Sequence, residues 1–233
     1  ARRSGPDDRP AEPTTGAATA SAEARRFTAA AEGHHSRMIV TIGHSTLSQD
    51  GFLKLLAQDG VHLLWDVRSY PTSHWAWFRR EQLERWLPAA GVEYVWAPAL
   101  GGRRPAPPRA ILDRSAAAEG GWREEGFFNY QWHMTSPEFL AAADELAGLG
   151  RRETAVAIMC AEGLWWRCHR SMIADYLVEA GVQVVHLQPR RLDHATALAN
   201  RLTRYDRKVL DVWRRHREGR HEPGAGDGAD RDG

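Results

Sequence analysis

Two cysteines, Cys160 and Cys168, are all that the 233-residue chain contains, which excludes a disulfide-dense secreted scaffold. Lysine is just as scarce: of 31 basic residues only Lys54 and Lys208 are lysines. That skew reads as genome composition, so arginine counts alone carry no weight. Neither sign of charge prevails. The 31 basic and 30 acidic residues leave a net charge of +1, which excludes a generally basic coat for nucleic acid and leaves only local patches. No run of about 18 apolar residues occurs, so no transmembrane helix and no membrane partner are expected. The start of the chain lacks an apolar h-region, so no secretory signal is read, and a cytoplasmic protein with free thiols is the expectation. Residues 1–37 hold almost no large apolar side chains, too little buried surface to offset backbone entropy, and read as a flexible leader. The Gly- and Asp-rich stretch 217–233 reads as a tail of the same kind.

What is present is a core. Apolar residues make up 42% of the chain, with ten tryptophans, and a single α/β domain is expected over residues 38–216. Met38 to Ile42 is an apolar run suited to a buried strand. Ser48 or Thr46 can cap a helix whose inner face carries Phe52, Leu53, Leu55 and Leu56. Val61 to Val67 reads as a second strand, Arg80 to Ala90 as an amphipathic helix closed by Gly91, and Val92 to Trp96 as a third strand. Residues 98–126 read as loop. Pro137 to Leu149 reads as a helix with Ser136 as cap and Pro137 at its first position. A strand from Thr154 to Met159, a helix from His169 to Ala180 and a strand from Val182 to Leu187 follow. Leu192 to His216 reads as one long final helix. Strand–helix alternation of this kind builds a mostly parallel sheet of about five strands with helices on both faces. Ligands bind such sheets beyond the carboxyl ends of the strands.

Four residue groups fall at those ends. In the first, Met159 to Arg170, a strand delivers Cys160 to a loop that leads into a helix whose first turn holds Cys168, His169 and Arg170. A helix start flanked by Arg167, His169 and Arg170 favours a thiolate that can act as nucleophile or ligand. Glu162 in the loop is a proton-transfer candidate. The bland alternative makes both cysteines packing residues. The second group is Asp66 and Arg68, which share a side by strand alternation. They suit either an anion-orienting pair or a structural ion pair holding the turn at Pro71. The third is Gly43-His44-Ser45-Thr46, where His44 could act as general acid or base and Ser45 and Thr46 precede a helix start; a capping turn is the alternative. The fourth is Leu100-Gly101-Gly102.

Cys160, Cys168 and His169, with His44 from a neighbouring loop, also offer four donors to zinc or iron. The C-x7-C-H spacing matches no standard zinc arrangement, and adjacent Cys168 and His169 on a helix should point apart, so no cofactor is predicted. Two further regions bear on nucleic acid. The Trp75–Arg80 segment places aromatics beside charge, and the helix over Arg190–Arg217 is rich in arginine. Core packing and a solvated helix face are the plain readings of both.

Ile42-Gly43-His44-Ser45-Thr46, Asp66-Val67-Arg68 with Pro71, Leu100-Gly101-Gly102, Met159-Cys160-x-Glu162 and Cys168-His169-Arg170 together resemble domain-of-unknown-function family 488, over about residues 38–190. The resemblance implies a Rossmann-like three-layer α/β fold and no defined activity. Leu64-Trp65-Asp66-Val67-Arg68 is also similar to the L-x-D-V-R strand of rhodanese-like domains, although the loop from Cys160 to Arg167 is one residue longer than that of cysteine phosphatases. The expectation is a thiol-dependent enzyme acting on a small anionic molecule. Cys160, Cys168, Glu162, His44, His169 and Asp66 are its candidate catalytic residues. Arg68, Ser45, Thr46, Gly101, Gly102, Arg167 and Arg170 are its candidate binding residues. A nucleic-acid or nucleotide-binding module and a Cys/His metal protein are the alternatives.

Overall fold

The computed structural model describes residues 37–108, 121–122, 124–152 and 155–220. Of the leader expected over 1–37 and the tail expected over 217–233, residues 1–36 and 221–233 lie outside the described residues, while Arg217 and Glu218, read as tail, belong to the last helix. Strand β1 (Met38–Gly43) is buried along its whole length. It leads to α1 (Gln49–Ala57), where Ser48 Oγ accepts from the Gly51 N–H at 3.1 Å. Then come β2 (Leu63–Asp66), α2 (Arg80–Ala89), β3 (Glu93–Trp96), α3 (Glu125–His133) and α4 (Pro137–Arg151). Strand β4 (Val156–Cys160), α5 (Arg170–Glu179), β5 (Gln183–His186), β6 (Leu192–Asp193), α6 (Ala195–Leu202) and α7 (Arg207–Glu218) complete the described chain. Gly91 and Gly181 stop α2 and α5 at φ 79° and 78°, a backbone conformation that side chains disfavour.

The sheet order is β3-β2-β4-β1-β5-β6. The first five strands are parallel, and β6 adds antiparallel to β5. This is the expected α/β class with one more, short strand. Helices cover both faces, which is why β1 reads as continuous apolar sequence rather than alternating. Side-chain alternation still sorts the residues. Ile39, Trp65, Val67, Val156, Ile158 and Val184 face a core built with α3, α4, α5 and α7. Met38, Val40, Ile42, Leu64, Ala157 and Met159 face a second core built with α1 and α2. Because β4 enters between β1 and β2, the chain leaves β1 toward one face and β4 toward the other. A crevice therefore opens between their carboxyl ends.

Two expectations are corrected. The long helix over Leu192–His216 is instead a short strand and two helices. Two aspartates mark the breaks: Asp193, in the short strand, accepts from the Ala195 N–H at 2.9 Å, and Asp206 caps the last helix by accepting from the Lys208 N–H at 2.8 Å. The loop read over 98–126 contains a 3-10 turn at Pro98–Leu100 and the first residues of α3; residues 109–120 and 123 lie outside the described set.

Candidate active site

Alternation along β4 puts Cys160 on the same face as Val156 and Ile158, toward α5. The chain then runs through a 3-10 turn at Trp165–Arg167 and returns, placing Cys168 just before α5. Cys168 is extended, at φ −129° and ψ 145°, with His169 as the cap and Arg170 as the first helical residue. This corrects the expectation that Cys168 and His169 point apart on a helix. The two sulfurs and a ring nitrogen of His169 lie within 4.8 Å of one another.

The His169 ring is fixed from behind. Its Nε2–H donates to the Val67 carbonyl at 2.7 Å, so Nδ1 faces the sulfurs, 3.6 Å from Cys168 and 4.0 Å from Cys160. Gly102 makes room for it: a Cβ at that position would lie 2.4 Å from Nδ1. Tyr130 meets the ring edge-on at 5.3 Å and donates to the Leu100 carbonyl at 2.8 Å, which holds the glycine strip in place.

Arg170 is 1% exposed. Its Nε–H donates to Cys168 Sγ at 3.4 Å and one terminal nitrogen donates to Thr41 Oγ1 at 3.3 Å. The other donates to the Glu162 carbonyl. Among the described residues no carboxylate pairs with it. A buried cation needs a counter-charge, and the group in place to supply one is the Cys168 sulfur. Burial pushes the Cys168 thiol up. The hydrogen bond from Cys160 and the charges of His169 and Arg170 outweigh it and hold Cys168 well below the ordinary thiol range. The same hydrogen bond, and then burial, push the Cys160 thiol up. The two sulfurs are thus driven in opposite directions, Cys168 toward the thiolate and Cys160 toward the thiol.

Asp66, Arg68 and His44 form a separate cluster facing α1 and α2. Asp66 receives Arg68 Nε–H at 2.8 Å, a terminal Arg68 nitrogen at 2.5 Å and the Tyr94 hydroxyl at 2.8 Å. The remaining terminal nitrogen of Arg68 donates to the Thr72 and Phe78 carbonyls, so the pair ties down the turn around Pro71. His44 stacks on Phe78 with ring centroids 4.3 Å apart. Burial and the neighbouring Arg68 charge lower its pKa to about 4. It stands with Arg68 rather than with the sulfurs. Ser45 is half-buried and Thr46 exposed on the turn that follows. Gly43 allows that turn to cross the β4 loop, since a Cβ there would lie 2.0 Å from the Glu162 carbonyl oxygen.

Both cysteines line a cleft of about 870 Å³ together with Arg68, Tyr70, Arg103, Glu162 and Arg167, Cys160 half-buried and Cys168 buried. Among the described residues neither Arg103 nor Arg167 forms an ion pair. Glu162 accepts from the Leu164 N–H at 2.9 Å and shapes the loop. Gly101 packs against Ser69. Two cysteines and a histidine are the donor set of an open zinc site, yet a dication there would share the Cys168 sulfur with the Arg170 guanidinium. Sequence reasoning missed Thr41, Tyr130, His186 and His194. For Thr41 the signal was present: a hydroxyl in the middle of a fully buried strand.

The aromatic segment at Trp75–Arg80 is bound into the α1/α2 core. The Trp77 indole N–H donates to the Leu47 carbonyl at 3.1 Å, and that of Trp86 to the Trp77 carbonyl at 2.8 Å. Several arginines of the 190–217 region meet carboxylates: Arg191 with Asp59, Arg201 with Asp175, Arg214 with Asp211 and Arg217 with Glu179. No helix among the described residues is long and apolar enough to cross a membrane.

No curated protein and no solved structure matches this chain. Residues 48–177, which contain the Asp66–Arg68 pair, the Gly101–Gly102 strip and both cysteines, match the model of the domain of unknown function DUF488, and the chain belongs to that family.

Proposed function

We propose that this protein is a thiol-dependent enzyme acting on a small anionic substrate in the cleft at the carboxyl edge of the sheet. The observation that carries this reading is the buried Arg170 guanidinium, which meets the Cys168 sulfur where a structural arginine would meet a carboxylate. Two ionisable groups driven apart by their surroundings divide into a nucleophile and an acid. Cys168 is the nucleophile: its sulfur bonds to an electrophilic centre of the substrate. The leaving group departs with the electron pair of the broken bond and takes the proton held by Cys160. Water then attacks the group held on Cys168 and releases the Cys168 thiolate, and the water proton passes through His169 Nδ1, which lies within reach of both sulfurs and whose ring is kept in register by the Val67 carbonyl, back to Cys160. Arg103 and Arg167, on the cleft wall, supply the attraction for an anion.

The test is iodoacetamide alkylation across pH, read at each cysteine by mass spectrometry. Cys168 should react at pH 6 at close to its full rate, and Cys160 only above the ordinary thiol value of ~8.5. Both thiols tracking that ordinary value would remove the basis of the proposal. A Cys/His metal centre is the second reading, favoured by the three donors that converge within 4.8 Å. Stoichiometric zinc or iron in protein purified without an affinity tag would replace the first reading with this one.

A further inference from the structure

Behind the thiols lies a set of buried polar groups that the proposed chemistry does not use: Thr41, Ser171, Asp175, His186, His194 and Arg201. His186, His194 and Asp175 are fully buried, and Thr41 is 1% exposed. Thr41 on β1 is in register with His186 on β5, so both side chains project toward α5. They form one unbroken chain of contacts. Thr41 Oγ1 is 2.7 Å from His186 Nδ1, His186 Nε2 is 2.7 Å from His194 Nδ1, and His194 Nε2 is 2.7 Å from Asp175 Oδ1. Trp165 lies flat against His186 at 4.0 Å with 4° between the rings, which holds the plane of that imidazole.

The direction of every hydrogen bond follows from the two ends when both rings are neutral. A carboxylate only accepts and a guanidinium only donates. Asp175 therefore receives the His194 Nε2–H. With neutral rings, His194 Nδ1 then accepts the His186 Nε2–H, and His186 Nδ1 accepts the Thr41 hydroxyl proton. That leaves the Thr41 lone pairs for the Arg170 N–H at 3.3 Å. A second branch starts from the same carboxylate. Arg201 binds Asp175 at 2.7 and 2.8 Å and Ser171 Oγ at 2.7 Å, while Ser171 Oγ–H donates to the Cys168 carbonyl at 2.8 Å. Cys168 is thus held at its sulfur by one branch and at its backbone by the other.

We propose that Thr41, His186 and His194 are positioning residues that orient the Arg170 guanidinium on the Cys168 sulfur, through a one-way hydrogen-bond chain anchored at Asp175. The inference rests on the thiol reading of the site. Each donor polarises the next acceptor along the chain, so the Thr41 oxygen facing Arg170 is a better acceptor than an isolated hydroxyl. Without it the guanidinium keeps only the Glu162 carbonyl as a fixed partner besides the sulfur and is free to turn away from the sulfur.

The experiment compares wild type, Thr41→Val and Thr41→Ser in the full chain, reading the Cys168 alkylation rate at pH 6 relative to pH 9. Thr41→Val keeps the side-chain shape in the buried strand and should lower that ratio about fivefold, the scale of one lost hydrogen bond. Thr41→Ser keeps the hydroxyl and should restore it. An unchanged ratio in folded Thr41→Val overturns the positioning role, whereas the absence of low-pH reactivity in wild type overturns the thiol reading itself. Nitrogen-15 NMR of wild-type protein gives an independent check that needs no variant: His186 and His194 should both carry their proton on Nε2. A proton on His186 Nδ1 reverses the chain and rejects the proposal.

Discussion

Two buried arginines, one just after a strand and one at the start of a helix, do opposite things. Arg68 follows β2 and is 4% exposed; Arg170 opens α5 and is 1% exposed. Arg68 meets a carboxylate in a two-pronged ion pair and two turn carbonyls, and its charge is answered inside the fold. Arg170 meets a sulfur, a hydroxyl and a carbonyl. The first arrangement is complete without a ligand. The second is complete only when the sulfur is a thiolate, which makes stability and reactivity one question at that position. Composition cannot separate the two, since both are buried arginines. The nature of the counter-charge does.

The comparison is most directly broken by removing each counterpart. Asp66→Ala leaves the Arg68 charge buried without a partner and should cost about 3–5 kcal/mol in denaturant unfolding. A loss below about 1 kcal/mol would mean that the pair is not structural. Arg170→Met removes a cation that has no carboxylate to orphan. Its main effect should fall on chemistry: Cys168 alkylation at pH 6 should drop about 10- to 100-fold, the range of a lost charged hydrogen bond. If the unfolding midpoint moves more in Arg170→Met than in Asp66→Ala, the contrast between the two arginines fails.

The smallest effect lies in the pH dependence of stability. On the proposed state in which the folded pair carries one proton, the unfolded chain carries one on each thiol below ~8.5, so the thiols make stability rise with pH once Cys168 is ionised. Above ~8.5 the unfolded thiols are bare while folded Cys160 keeps its proton, so the same pair makes stability fall. The difference between wild type and the double variant Cys160→Ser, Cys168→Ser should therefore peak near that pH. A flat difference would show that the two sulfurs share no proton.

Local signals fixed much of the fold. Ser48 and Ser136 cap their helices, Pro137 sits at a first helical position, and Gly91 and Gly181 end theirs, all of which are read from single residues. The break in the last helical region was written just as locally, in Asp193 and Asp206, but apolar periodicity across the segment masked it. Helix α3 escaped because no side chain caps it and its buried residues include Asn129 and Gln131 rather than an apolar stripe. At the candidate site, spacing along the chain placed the sulfurs near His169 and Arg170, neighbours in sequence. Strand alternation then separates His44 and Asp66 onto the other face of the sheet. Thr41, His186 and His194 could not be assembled from sequence, because their contact depends on β1 and β5 pairing across 145 residues.

The crossing at Gly43 has a consequence for how such a protein can change over time. The carbonyl that leaves no room for a side chain at position 43 is also the one that receives the Arg170 guanidinium. The turn after the first strand and the loop after the fourth therefore form a single joint. An insertion or a bulkier residue in either would be inherited by the other, and any lineage that remodels the mouth of the cleft must rebuild both strand ends together.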